Sequence, residues 1–164
     1  MKSNNFLNSR QPKRLLKIAA AALVLLPLQA QTNPLTVENP TKIKARRGEE
    51  VSAKIHVKLQ QGFHVNSNKP VEDYLIPLRL TWDAKPLQTG KIQFPEAKLE
   101  KHSFSNEPVS VYTSDFFIET TFKVPSDAAT GLGMANGKLR YQACTDTACY
   151  PPKTIEVKLP FEVR

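Results

Sequence analysis

Apolar and polar residues alternate with a period of two over most of the chain beyond residue 40. The longest run has apolar side chains at every second position from Val51 to Leu59, with polar side chains between them. A strand with one buried and one exposed face produces this pattern, because successive side chains point to opposite faces. Shorter runs of the same kind predict further strands in segments 75–82, 92–94, 116–122, 138–143 and 155–163.

Turn-forming residues separate these predicted strands, and no sustained helical stripe occurs beyond residue 30. The chain has 13 prolines, and its predicted turns lie at Gly48, Gln61-Gly62, Thr89-Gly90 and Asn136-Gly137. Roughly seven or eight short strands at this spacing are typical of a two-sheet sandwich. We therefore predict an all-β, immunoglobulin-like two-sheet sandwich over residues 41–164, with residues 31–40 as a leader segment before it.

The first 30 residues have the three-part pattern of a secretory signal peptide. The basic residues at its start are Arg10, Lys13, Arg14 and Lys17. Residues 18–28 are almost wholly apolar, and Ala30 offers a small residue for cleavage. An apolar run of about 11 residues is too short for a membrane-spanning helix, which needs about 20. We predict that residues 1–30 are removed near Ala30 and that the protein is periplasmic or otherwise exported.

The positive net charge of the chain lies mainly in this predicted signal peptide. Residues 1–30 contain five of the 23 lysine and arginine residues and none of the 15 acidic residues, which leaves 18 basic residues against 15 acidic ones. A nucleic-acid interface requires a concentrated basic face, so this balance argues against nucleic-acid binding. The remaining length suits one domain, and we expect a monomer.

Residues 95–112 form a long connection without clear alternation, and Phe104 lies within it among polar residues. Long connections in compact domains are often functional. Phe104 therefore has two interpretations. It is either the aromatic of an ordinary surface loop that packs on the sandwich, or part of a functional loop.

The two cysteines, Cys144 and Cys149, lie between two predicted strands, with four residues between them. Neighbouring strands bring Cα atoms to about 4.5–5.5 Å, which suits a disulfide. Two cysteines in an exported chain most simply pair with each other. Closing so short a loop stabilises a fold by on the order of 2 kcal/mol, against about 4.7 kcal/mol for a loop of a hundred residues. Such a disulfide is a weak structural staple and resembles the exchangeable type.

Three interpretations of the pair remain open on chemistry alone: a redox-active disulfide, a structural disulfide in a binding module, and half of the metal site of a periplasmic carrier. A zinc or copper site would need two imidazoles beside the thiolates. His64 and His102 lie in loop-like segments and could supply them, whereas His56 lies on the polar face of a strand and is expected to be solvated. Asp146 lies between the cysteines, and its charge disfavours a thiolate. The pair is therefore expected to be attacked as a disulfide.

The cysteine segment resembles a known family. The stretch YQACTDTACYPPKTIEVKLPF, residues 141–161, is similar to the redox hairpin of the N-terminal periplasmic domain of DsbD, the thiol:disulfide interchange protein. The segment GFHVNSNKPVEDYLIPLRL, residues 62–80, resembles the early strand pair of the same domain. The resemblance covers roughly residues 35–164. The spacing between the cysteines is one residue shorter than in the best-known members.

The resemblance implies an immunoglobulin-like periplasmic domain that carries electrons by thiol–disulfide exchange, with no cofactor beyond the cysteines. Cys144 and Cys149 would be the redox pair, and Cys149 would form the mixed disulfides with partners. Phe104 would be the aromatic of a cap loop that shields the pair. The other side chains at the site would be His64, Asn66, Asp146 and Tyr150.

The family also implies partners. A membrane-embedded thiol reductase would reduce the pair, and the domain would then reduce periplasmic disulfide isomerases, other thioredoxin-like proteins and cytochrome c maturation factors. The sequence contains neither a membrane domain nor a thioredoxin-like domain, so we expect a free-standing carrier whose donor acts in trans. The resemblance favours an enzymatic role, as one component of a thiol:disulfide oxidoreductase system.

Overall fold

The computed structural model describes residues 33–164, so the predicted signal peptide, residues 1–30, lies outside the described residues. The described part is all-β, and it contains no helix long and apolar enough to cross a membrane. Its strands are β1 Leu35–Glu38, β2 Ile43–Ala45, β3 Glu50–Leu59, β4 His64–Asn66, β5 Arg79–Asp83, β6 Gln88–Gln93, β7 Lys98–Glu100, β8 Val109–Tyr112, β9 Phe116–Lys123, β10 Gly131–Tyr141, β11 Ala143–Cys144 and β12 Lys153–Val163.

Two four-stranded sheets form the sandwich. One has the strand order β1-β3-β9-β6 and the other the order β2-β12-β10-β5. Neighbouring strands in both sheets are antiparallel except β2, which runs parallel to β12. The longest ladders, β3 with β9 and β10 with β12, form the centres of the two sheets.

The inner faces of the two sheets form a shared core. Ile55 and Ile118 from one sheet and Leu139 and Val157 from the other are fully buried in a single apolar cluster. Ile55 alternates with exposed or half-buried neighbours along β3, as the period-two pattern requires. The predicted immunoglobulin-like sandwich is confirmed.

A third, smaller sheet with the order β11-β4-β8-β7 carries the cysteine segment. Val65, Tyr112 and Ala143 of this sheet join the same apolar cluster as the sandwich. The sequence did not predict this sheet, because β7 and β8 lie within residues 95–112, which were expected to form a connection without strands. Strands of three or four residues contain too few alternations to be distinguished from a loop.

The sandwich begins earlier than predicted. β1 lies inside residues 31–40, which the sequence analysis assigned to a leader segment, and it pairs with β3 along its whole length. Leu35 is fully buried in the core. The alternation of β1 covers only four residues between two prolines, which is too short to stand out as a pattern.

Two predicted turns lie inside strands instead. Asn136-Gly137 falls within β10, where a Cβ atom on Gly137 would lie 2.9 Å from the Trp82 ring. Glycine is required there by the close approach of the ring and not by a turn. Thr89-Gly90 falls within β6 at a register shift against β9. The strand predicted over residues 75–82 begins only at Arg79.

Candidate functional site

The cysteine hairpin lies where the chain leaves the sandwich for the small sheet. One residue after β10 ends, Ala143 and Cys144 pair with β4 as the short strand β11. Cys149 then returns opposite Cys144 as an isolated antiparallel bridge. The two sulfur atoms are bonded to each other, and the two Cα atoms are 4.0 Å apart, somewhat closer than the sequence analysis expected.

The turn between the cysteines is closed by backbone hydrogen bonds. Thr145 N donates to Ala148 O at 2.8 Å, and Tyr150 N donates to Ala143 O at 2.9 Å. Pro151 and Pro152 follow, and proline lacks the N–H group that would extend the ladder. Regular pairing resumes only with β12, so the hairpin tip is separate from the central sheets.

The two cysteines differ in exposure. Cys144 is completely buried, whereas Cys149 is exposed. Thiol–disulfide exchange begins when a thiolate reaches one sulfur of the bond, and access decides which sulfur is attacked. Of the two cysteines, Cys149 is therefore the one that a partner can approach more easily, and Cys144 is the enclosed one.

Gln142, between β10 and β11, joins the segments around the hairpin. Its side-chain oxygen accepts hydrogen bonds from Asn66 Nδ2 at 3.0 Å and from Ile76 N at 3.1 Å, and its side-chain nitrogen donates to Tyr150 O at 3.2 Å. Asn66, which is fully buried on β4, also donates to Ile76 O at 3.1 Å. Asn66 was predicted from the sequence as a site residue, whereas Gln142 was not, although Gln142 stands in the Tyr-Gln pair that precedes the first cysteine.

His64 is the cross-strand neighbour of Cys144 in the ladder of β4 and β11, so the two side chains lie side by side on one face. His64 is 3% exposed, and its Nε2 has no hydrogen-bond partner among the described residues. Burial, with repulsion from His102 as a second cause, lowers the pKa of His64 to about 4, and Asp146 opposes this shift. The imidazole is therefore neutral at neutral pH. Its position on a buried strand differs from the loop-like segment expected from the sequence.

The loop of residues 101–108, between β7 and β8, contacts the turn between the cysteines. Ser103 Oγ donates to Asp146 O at 2.6 Å, and His102 Nδ1 lies 3.3 Å from Asp146 Oδ1. The Asp146 side chain is 91% exposed, whereas His102 is buried, with Nε2 3.9 Å from Glu100 Oε2. These contacts hold the 101–108 loop against the hairpin, and the sequence analysis predicted neither of them.

Phe104 and the two histidines form a stack of three rings. The ring centroids of His64 and His102 are 3.9 Å apart, and Phe104 lies 5.4 Å from His102 and 5.8 Å from His64. Phe104 also packs against a small apolar cluster formed by Leu75, Val109 and Val111. The aromatic residue selected from the sequence thus lies beside the histidine that neighbours Cys144.

Tyr150 directly follows the exposed cysteine and is itself 47% exposed. Its ring packs at an angle of 46° against Phe63, with the centroids 5.9 Å apart. Phe63 immediately precedes β4, so this contact also links the hairpin to the small sheet. Each site residue predicted from the sequence therefore lies on the hairpin or on an element that contacts it.

Potential metal ligands also come together here. One ligand atom each from His64, His102 and Asp146 lies within 4.8 Å of the other two, and no other such cluster occurs among residues 33–164. This set differs from the one considered in the sequence analysis, which combined two imidazoles with two thiolates. His56 lies elsewhere, on β3, where its Nδ1 is 2.7 Å from Glu38 Oε2.

The fold and the hairpin together define an immunoglobulin-like domain with a disulfide between one buried and one exposed cysteine. The family model described as thiol:disulfide interchange protein DsbD, N-terminal, matches residues 31–160. The chain therefore belongs to the family of DsbD N-terminal domains and is a thiol:disulfide interchange domain with a cysteine pair. No curated protein sequence matches the chain significantly.

Solved structures share the fold at low sequence identity. The N-terminal periplasmic domain of ScsB from Proteus mirabilis has a TM-score of 0.56 at 14% identity, over 78% of this chain and 47% of that one. The N-terminal domain of DsbD from Neisseria meningitidis, in the reduced form, has a TM-score of 0.43 at 19% identity, over 68% of this chain and 78% of that one. The likeness to ScsB supports the β-sandwich assignment, and the chain spans about half of that ScsB chain.

Proposed function

We propose that the protein exchanges disulfides in the periplasm and passes electrons from a membrane-embedded thiol reductase to exported thioredoxin-like or disulfide isomerase proteins. The observation that carries the proposal is the unequal exposure of the pair, with Cys149 accessible and Cys144 buried. A structural staple gains nothing from this asymmetry, whereas exchange requires one sulfur to be open to attack. Membership of the DsbD N-terminal family supports the same reaction.

The reaction needs no group beyond sulfur. A donor thiolate attacks Cys149 Sγ, a mixed disulfide forms between donor and Cys149, and Cys144 leaves as a thiolate that takes up a proton. A second donor thiolate then attacks the mixed disulfide, which releases the oxidised donor and leaves Cys149 reduced. Two electrons and two protons have then entered the domain. In the opposite half of the cycle the Cys149 thiolate attacks an acceptor disulfide, and Cys144 releases the reduced acceptor by closing the original bond.

The 101–108 loop would regulate access in this scheme. Phe104 would act as the shielding aromatic, and the contacts of Ser103 and His102 with Asp146 support a closed resting position. Movement of the loop away from the hairpin would widen the approach to the already exposed Cys149. Asn66 and Gln142 would keep the hairpin in place while the loop moves.

Single-cysteine variants test the proposal. Cys144→Ser retains the exposed cysteine and should form a stable mixed disulfide with oxidised glutathione. Cys149→Ser retains the buried cysteine and should react more slowly by roughly tenfold or more, because reactivity follows exposure. The wild-type domain, reduced with dithiothreitol and then freed of it, should reduce an oxidised thioredoxin-like acceptor, whereas Cys149→Ser treated in the same way should not. The circular dichroism of Cys149→Ser should remain that of the folded sandwich.

Two outcomes would contradict this function. Turnover that persists in Cys149→Ser would show that the exposed cysteine does not carry the reaction. A reduction potential below about −300 mV, together with failure to exchange with the acceptor, would instead identify a structural disulfide in a binding module.

A further inference from the structure

The two buried histidines of the site have no part in the exchange chemistry. His64 and His102 are 3% and 7% exposed, and the Nε2 atom of each lacks a hydrogen-bond partner among the described residues. Buried polar groups are normally hydrogen-bonded, because an unpaired one costs about 1–3 kcal/mol. The Nε2 of His102 lies 3.9 Å from Glu100 Oε2, whereas the Nε2 of His64 forms no ion pair within residues 33–164. An unpartnered imidazole nitrogen next to a second buried imidazole indicates a function beyond packing.

The candidate ligands come from three separate parts of the chain. His64 lies on β4, His102 on the 101–108 loop and Asp146 on the turn between the cysteines. Their ligand atoms lie within 4.8 Å of one another, and the shortest contact, His102 Nδ1 to Asp146 Oδ1, is 3.3 Å. Ligands bonded at about 2.0–2.2 Å to one tetrahedral ion lie about 3.3–3.6 Å from each other. The His102–Asp146 contact matches this spacing, and the limit on the other separations exceeds it by about 1 Å.

We propose that His64, His102 and Asp146 bind a divalent first-row transition metal, with Zn²⁺ as the ion of best fit, while the cysteines are in the disulfide form. Imidazole nitrogen and carboxylate oxygen are ordinary zinc ligands, and a set of three protein ligands leaves a fourth position for water. The site needs no sulfur ligand, which distinguishes it from a site built on the reduced cysteines.

Binding requires one ring to turn. The two imidazole planes are 19° from parallel, and a metal accepts a nitrogen lone pair that lies in the ring plane. Two stacked rings therefore cannot both direct a lone pair at one ion. His102 is the ring that can turn, since it belongs to a loop, whereas His64 is fixed in the ladder opposite Cys144.

The bound ion would connect the 101–108 loop to the cysteine hairpin through coordination bonds from His102 and Asp146. These bonds would replace the present contact between the two side chains. The approach to Cys149 would then depend on metal occupancy, a consequence that rests on the proposed exchange function. Metal binding itself does not rest on that function and is tested separately.

The test is calorimetric titration of the purified, tag-free disulfide form with ZnCl₂. One ion per chain should bind, and His102→Gln and Asp146→Asn should each weaken binding by roughly tenfold or more. Loss of an outer-shell contact already costs about 10- to 100-fold, and loss of a ligand should cost at least as much. His56→Gln is the matched control, because His56 also contacts a carboxylate but lies outside the site. Its affinity should equal that of the wild type. Amide hydrogen exchange in residues 101–108 should slow on adding Zn²⁺ to the wild type and not to His102→Gln.

Three results would overturn the proposal: no binding at millimolar Zn²⁺, equal affinity in the wild type and in Asp146→Asn, or a loss of affinity in His56→Gln as large as in His102→Gln. Asp146 is exposed, so its substitution leaves the core intact. If His102→Gln fails to fold, the Zn²⁺ affinity of Asp146→Asn therefore still decides the test. Thermal unfolding of each metal-free variant checks the fold.

Discussion

The sandwich and the small sheet bury different kinds of side chain. The sandwich core is almost wholly apolar. Its buried polar groups are Thr120, which accepts a hydrogen bond from Trp82 Nε1 at 3.2 Å, and the hydroxyl of Tyr141 at the end of β10. The other five buried polar residues described belong to the small sheet and its connections: His64, Asn66, Ser67, His102 and Ser105. The sandwich is therefore held almost wholly by apolar packing, whereas the small sheet combines apolar packing with a network of specific polar contacts.

Because of this difference, the sandwich provides the stability of the domain, and the small sheet holds the cysteine site. An apolar core needs only close packing, and it can be large because no partner groups have to be matched. The polar network around the hairpin orders the cysteines, but it includes unpaired buried nitrogens that an isolated small sheet could not sustain. Attachment to the sandwich, through shared residues such as Val65 and Ala143, allows this sheet to keep that arrangement.

The largest effect on stability should come from the sandwich. Phe122 is fully buried on β9 and meets the Trp82 ring edge to face at 5.4 Å. Phe122→Ala should lower the free energy of unfolding by about 3–5 kcal/mol, because it removes apolar burial and leaves a cavity. Urea denaturation of the disulfide form measures this loss.

Phe117, on the same strand, is the matched control. It is 55% exposed, and its ring stacks on His56 at the surface. Phe117→Ala should cost only about 0.5 kcal/mol, as is usual for surface positions. Equal losses in the two variants would mean that the inner face of β9 does not anchor the fold.

The next effect concerns the small sheet and depends on pH. The folded-state pKa of His64 is about 4, below the usual value of 6.5. Between these values the unfolded chain binds a proton that the folded chain does not, so stability falls as the pH drops from about 6.5 to 4. The full contribution is on the order of 3 kcal/mol.

Urea midpoints of the metal-free protein at pH 7 and pH 4 measure this dependence. His64→Gln removes the titrating group, and its stability should vary less with pH than that of the wild type. The difference between the two proteins isolates His64 from the carboxylates that titrate in the same range. An identical pH dependence would show that His64 is not buried as a neutral ring.

The regions also differ in how well the sequence predicts them. The sandwich can be predicted from the alternation of apolar and polar residues, because β3, β9 and β12 are long enough for the period of two to repeat several times. The small sheet consists of strands of two to four residues. No periodic signal can be read from so few positions, so its existence depends on tertiary pairing.

The part of the candidate site that could be predicted from the sequence is the part whose residues are neighbours in the chain. Cys144, Asp146, Cys149 and Tyr150 lie in one short segment, and their chemistry can be read directly from it. The contacts that complete the site cross long separations, as between Ser103 and Asp146, 43 residues apart, or Asn66 and Gln142, 76 residues apart. Tertiary packing brings these segments together, and a local sequence pattern does not show which distant segments will meet.

The smallest predicted effect concerns the contact of the 101–108 loop with the cysteine hairpin. Ser103→Ala removes the hydrogen bond to Asp146 O, which contributes about 1 kcal/mol. Loop opening should increase about fivefold, reduction of the disulfide by dithiothreitol should accelerate by a similar factor, and the free energy of unfolding should fall by no more than about 1 kcal/mol. Ser105→Ala is the control, since Ser105 Oγ donates to Glu107 O within the same loop. Equal acceleration in both variants would mean that the internal order of the loop, and not its contact with the hairpin, limits access to Cys149.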